Sequence, residues 1–136
     1  MINASKTRPG YIHRLYMTDA IYKGELVISS SGFKPAIAAL ATQICVGLAL
    51  EDTIATGICP VLPIGGAVLE IDFTNAGTKK TFADTDLGTL YDFVVTSHDA
   101  VLDPDDTSGG SLMLVGYDNV NLKAYVIVPN TLLLVS

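Results

Sequence analysis

The chain has 136 residues, a formal net charge of −6 and a pI of about 4.5, which fits one acidic domain with a core of its own. That charge argues against a nucleic-acid partner, since such binders work by neutralising phosphates. Apolar residues make up 49% of the chain and charged residues only 16%, more greasy surface than a lone domain hides, so another chain is expected to cover some of it.

Residues 1–11 contain Pro9-Gly10 and no apolar period, and they read as an extended N-terminal arm; residues 12–136 read as a single β domain. Lys6, Arg8 and Arg14 have no acid among them, which leaves five positive and 14 negative side chains for the rest. A basic end on an acidic body is either a contact for an acidic surface or a solvated, frayed terminus. The start, Met1-Ile-Asn-Ala-Ser-Lys6, carries no apolar run, so no leader is expected.

Ile12–Met17 and Glu25–Ser30 are predicted strands, with a turn at Tyr22-Lys-Gly24 between them. Pro35–Ala41 suits one or two helical turns, the only helix expected. The charge-free stretch Pro35–Leu50 is too short, and at Thr42 and Gln43 too polar, to enter a membrane. Gln43–Leu50 reads as a buried strand in which Gly47 marks a bulge or a close backbone approach. Ile58–Ile64 holds Pro60 and Pro63 and is assigned to an edge or a corner, because proline cannot donate to a ladder. Val68–Phe73 alternates, with Leu69, Ile71 and Phe73 on one face and Glu70 and Asp72 on the other.

After a polar stretch come Leu90–Val95, an acidic loop from Asp99 to Gly110, and three strong strands: Leu112–Tyr117, Lys123–Val128 and Thr131–Val135. The last two are apolar on both faces. One set, Tyr125, Ile127, Leu133 and Val135, is therefore expected to be covered from outside the core, as an oligomer interface. Pro129-Asn130 between them suits a corner. The sum is an all-β chain, a small β-barrel or β-sandwich with an N-terminal arm.

Signals for chemistry are few. No phosphate loop, dinucleotide fingerprint, metalloprotease helix or nucleophile elbow is present, and no enzyme activity is expected. His98-Asp99 reads as a surface loop and not as part of a catalytic triad. Cys45 and Cys59 read as buried apolar groups, with a disulfide or a zinc site shared with His13 and His98 as alternatives. Asp103, Asp105 and Asp106 read as a solvated turn, with calcium as the alternative. Glu51-Asp52 is expected to cap the segment Thr53–Thr56. No cofactor or metal is expected.

Gly24-Glu-Leu-Val-Ile28, Lys34-Pro-Ala36, Val46-Gly-Leu-Ala-Leu-Glu-Asp52 and Ala55-Thr-Gly-Ile-Cys-Pro-Val-Leu-Pro63 together resemble the small head decoration proteins of tailed bacteriophages. Leu87–Phe93, Leu102–Asp106 and Leu114–Asp118 are similar to the second half of such virion domains, and only Cys59-Pro60 departs from the pattern. The resemblance implies a β-tulip or barrel-like fold and a mechanical role on the virion: binding the outer capsid surface and bridging neighbouring major capsid protein subunits, as a homotrimer. It brings no catalytic residues. It makes Ile2, Lys6, Arg8 and Arg14 the capsid-binding arm. A tail or fibre component, or a small ligand- or carbohydrate-binding β-domain, is the other expectation.

Overall fold

The structure, a computed structural model, describes residues 12–36, 44–65, 67–96, 98–108 and 110–129. The chain is all-β. Its first sheet is built from β1 (His13–Tyr16), β2 (Leu26–Ser29), β3 (Phe33–Pro35), β4 (Ile44–Ala49) and β5 (Ile58–Pro63). All its ladders are antiparallel, and the order is β1-β5-β4-β2-β3. Twist brings its two edges together. Met17, just past β1, bridges Phe33 at the start of β3, and the Thr18 amide donates to the Phe33 carbonyl at 2.9 Å. The sheet therefore curls like a barrel without a full closing ladder. Met17, Val27, Val46, Cys59 and Val61 fill the inside of the curl, each fully buried.

Two glycines permit this curl. Gly24, at φ +89°, takes the third position of the turn Tyr22–Glu25, where the Glu25 amide donates back to the Tyr22 carbonyl. Gly47 lies so near β5 that a Cβ there would stand 2.4 Å from Val61 Cγ1 and 2.5 Å from the Leu62 carbonyl oxygen. The register slips beside it: Val27 pairs Gly47 but Ile28 pairs Cys45, so Val46 is a bulge. Both sequence readings of Gly47 hold.

The second half forms β6 (Leu69–Asp72), β7 (Leu90–Tyr91), β8 (Phe93–Thr96), β9 (Asp99–Leu102), β10 (Leu112–Asp118) and β11 (Lys123–Ile127). Four of them make a sheet ordered β6-β11-β10-β7, and β8-β9 is a hairpin joined to it by a Phe73–Leu102 bridge. The larger core lies between the halves. Leu26, Ile28 and Cys45 on the outer face of the curled sheet meet Leu112, Leu114, Ala124 and Val126, with Phe93 and Leu102 from the hairpin. Phe82 sits edge-on to Phe73 at 4.7 Å and to Tyr91 at 5.3 Å, closing one end.

Four expectations are corrected. Ile58–Ile64 is not at an edge, because β5 runs between β1 and β4. Opposite Pro60 the Leu50 amide donates to the proline's carbonyl at 3.0 Å, so that position keeps a backbone bond without a proline N–H. Pro60 faces Leu50, one residue beyond β4, and Pro63 stands two residues beyond the last β1 pairing, His13–Val61. Pro35 starts no helix: it ends β3, opposite Val27, while residues 37–43 lie outside the described residues. Among the described residues the one helical element is a 3-10 turn at Asp84–Asp86. Asp99 does not open the acidic loop but begins β9, pairing Thr96. Asp52 does not cap the residues after it, since its Oδ1 accepts the Lys23 amide at 2.8 Å. The arm at 1–11, Asn130 and the strand at 131–135 lie outside the described residues.

Candidate functional site

Among the described residues, the second half covers the outer face of the curled sheet over β2 and β4, where Leu26, Ile28 and Cys45 join the larger core. Across β1 and β5 the register sets Arg14 against Pro60 and Tyr16 against Ile58, and one step earlier it sets Ile12 beside Leu62. Ile12 is 46% exposed, Tyr16 52% and Ile58 55%. Three large apolar side chains thus surround Arg14, itself exposed, on one face. β1 is also the edge of its sheet along His13–Leu15, and an edge strand can take an added strand. The predicted arm residue Arg14 therefore belongs to a strand. Ile2, Lys6 and Arg8 lie outside the described residues. The sequence alone gave Ile58 no such place, because its neighbourhood depends on β5 lying beside β1.

The second sheet has its own outward apolar row. Leu90 pairs Met113, Met113 pairs Ile127, and Val68, one step before the Leu69–Val126 pair, continues it across all four strands. Leu90 and Val68 are exposed and Met113 and Ile127 half-buried. The predicted interface residue Ile127 is thus in the row's centre. Tyr125 also points outward, but its ring lies over Gly116, where a Cβ would be 3.3 Å from Tyr125 Cδ2. Its partial burial comes from its own sheet. Leu133 and Val135 lie outside the described residues.

No family model, curated protein or solved structure matches the chain.

Between the two halves opens a cleft of about 460 Å³, lined by Leu26, Leu48, Leu69 and Ile71 together with Glu70, Asp72, Asp99 and Lys123. Glu25, also in its lining, is buried; its Oε1 accepts the Tyr22 amide at 2.7 Å. His98 Nδ1 stands 3.6 Å from Glu25 Oε2, and its ring packs 4.3 Å from that of Tyr22. His98 holds φ +70° in the β8–β9 turn, so it ties the hairpin to the first half. Lys123 is paired with Asp72, which raises the lysine's pKa through their hydrogen bond.

The remaining chemistry-bearing groups have structural partners. Asp103 Oδ1 accepts the Asp105 amide, Asp106 Oδ1 accepts the Ser108 amide, and Asp105 Oδ1 accepts the Lys79 amide. Two of these carboxylates hold the loop's own backbone and the third ties it to Lys79, and among the described residues no group of three or more metal-ligating side chains forms. Asp92 is buried beneath this loop; burial raises its pKa, and Asp106 and Asp103 raise it further. Cys45 and Cys59 are both free and lie on opposite faces of the curled sheet, in different cores, so neither the disulfide nor the zinc site with His13 and His98 forms. Burial pushes the Cys45 thiol up to about 12, which makes it an inert core group.

Proposed function

We propose that the chain is a structural docking domain of a virion, which binds the outside of a tailed-phage capsid and bridges neighbouring major capsid protein subunits. The observation that carries this reading is the face at Ile12, Arg14, Tyr16 and Ile58: exposed apolar area around a cation, on an edge strand that continues directly from the basic arm. Apolar contact supplies affinity there, the free strand edge supplies register, and Arg14 with Lys6 and Arg8 supplies attraction to an acidic capsid surface. The row Leu90, Met113, Ile127 and Val68 on the other side is the surface proposed for self-association into a homotrimer. Two greasy faces on opposite halves suit a protein that holds a copy of itself with one and a shell with the other.

Co-sedimentation with undecorated capsids tests the reading. The wild-type chain is expected to pellet with them, and Arg14→Glu combined with Tyr16→Ser to stay in the supernatant while keeping its β circular dichroism. Equal pelleting by the double variant would remove this face from the interface.

A further inference from the structure

The cleft between the halves lies where two strands meet at one end only. β6 and β9 run parallel where Phe73 bridges Leu102, and there the Thr74 amide donates to the Leu102 carbonyl at 3.0 Å. Toward their N-terminal ends no ladder joins them among the described residues, since β6 is the last strand of its sheet and β9 pairs only β8. Both line the cleft there, through Leu69–Asp72 and through Asp99 and Ala100. Backbone groups alternate in direction along a strand. The Phe73 amide donates to the Leu122 carbonyl on the β11 side at 3.1 Å, so Glu70, three residues earlier, turns its amide and carbonyl to the open edge. On β9 the Asp103 amide donates to the Asp92 carbonyl on the β8 side at 3.0 Å, so Ala100 also turns its backbone pair to the open edge.

The side chains of the cleft divide into three sets. Leu26, Leu48, Leu69 and Ile71 give it aliphatic area. Asp72 is committed to Lys123, and Glu25 to the Tyr22 amide and His98. Glu70 and Asp99 are not committed: both are exposed, and neither stands in an ion pair among the described residues. Aliphatic area beside a few convergent polar groups, in a cleft of about 460 Å³, is the character of a small-molecule site, which typically spans ~300–1,000 Å³. The two uncommitted carboxylates set the sign of the ligand, and the backbone carbonyls of Glu70 and Ala100 add acceptors for its N–H groups.

We propose that this cleft is a binding site for a small organic cation, an ammonium group carried on an apolar body. The body lies over the aliphatic side chains and the ammonium meets Glu70 and Asp99. An anion of the same size is disfavoured, because the lining holds four carboxylates against Lys123 and His98. The site uses neither the face at Ile12, Arg14, Tyr16 and Ile58 nor any capsid contact, so it stands or falls apart from the proposed function.

Titration of the full chain with 2-phenylethylammonium, followed by nuclear magnetic resonance, tests it. The amide signals of Glu70 and Ala100 are expected to shift and saturate, while those of Tyr16 and Val120 stay in place. Methylammonium has the charge without the body, and 3-phenylpropanoate has the body with the opposite charge. Each is expected to bind roughly tenfold more weakly, or worse. Glu70→Gln combined with Asp99→Asn, both at exposed positions, is expected to keep the β circular dichroism and to weaken binding of the amine roughly fivefold. Shifts that do not saturate, or that methylammonium reproduces at the same concentration, are those of loose counter-ion association and overturn the proposal. Equal binding of the carboxylate, or of the amine by the folded double variant, overturns it as well.

Discussion

The curled sheet and the second half reach similar burial by different means. In the curled sheet the backbone carries the architecture: a bulge at Val46, a glycine pressed against β5, and one bridge between the edges, around a small apolar interior. In the second half long connections lie over the strands, and side chains hold those connections. Asn119 clasps Phe82 at two points, its Oδ1 accepting the amide and its Nδ2 donating to the carbonyl, both at 2.9 Å. Lys79 Nζ meets Asp86 at 2.5 Å and sits 5.8 Å from the ring centres of Phe82 and Tyr91. The difference says where each half is vulnerable: the first to added volume, the second to lost polar partners.

The most damaging change is expected in the curled sheet. Gly47→Ala places a methyl within 2.5 Å of the Leu62 carbonyl oxygen, a backbone atom that cannot rotate away. Overpacking of this kind costs about 3 kcal/mol, and thermal melting should show a fall of roughly 10 °C in Tm. A variant as stable as the wild type would mean that β4 and β5 are not so closely apposed.

Asn119→Ala tests the second half. It adds no volume and leaves the Phe82 amide and carbonyl without their partner. The expected loss is ~2 kcal/mol, read from urea denaturation. Asn119→Asp sharpens the comparison, because it keeps the acceptor and removes the donor, and should fall between Ala and wild type. If both are neutral, side-chain clasps do not hold these connections.

A smaller effect is expected at Asp92, and it runs the other way. Burial raises the folded-state pKa of this carboxyl above its unfolded value, so the folded state binds its proton more tightly. Its favourable contribution is present below the unfolded pKa and is lost as pH rises through the folded pKa, above which the carboxylate charge is buried. Asp92→Asn keeps an oxygen for the Phe93 amide, which Asp92 Oδ1 accepts at 2.8 Å, and removes that charge. Its stability relative to the wild type, read from urea denaturation, should therefore rise with pH. A variant that is destabilised at neutral pH would mean that the aspartate is held there by a cation.

How much of this was legible in the sequence follows from the range of the interactions. The strand from Leu69 to Asp72 was readable because alternation is local, the strand from Lys123 to Ile127 because its apolar, β-branched run is local too, and the glycine at 47 because its place in an apolar run needed a reason. The position of β5 was misread because proline's penalty depends on what lies opposite it, and only the register shows that Pro60 lies opposite Leu50, just past β4, whose amide bonds its carbonyl. Of the proposed surfaces, Arg14 and Ile127 were readable as a basic end and as the second face of a greasy strand. Ile58, Leu90 and Met113 were not, because each joins its row through a strand distant in sequence.

The smallest effect on stability is expected at the exposed face itself. Tyr16→Ser and Ile58→Ser remove apolar area that is already about half in water, and the pair sits on the outer side of β1 and β5, away from Met17, Cys59 and Val61 in the curl. Little burial is lost, so each should change unfolding free energy by no more than about 0.5 kcal/mol. Adjacent apolar side chains across an antiparallel pair do support each other, and double-mutant coupling between them of a few tenths of a kcal/mol is in the ordinary range. A larger loss, measured by urea denaturation of the isolated protein, would show that the face is covered in the free chain, and the same measurement on a chain lacking residues 1–10 would tell whether the arm is what covers it. A negligible loss, together with weaker capsid binding, is the pattern of side chains kept exposed for a partner and not for the fold.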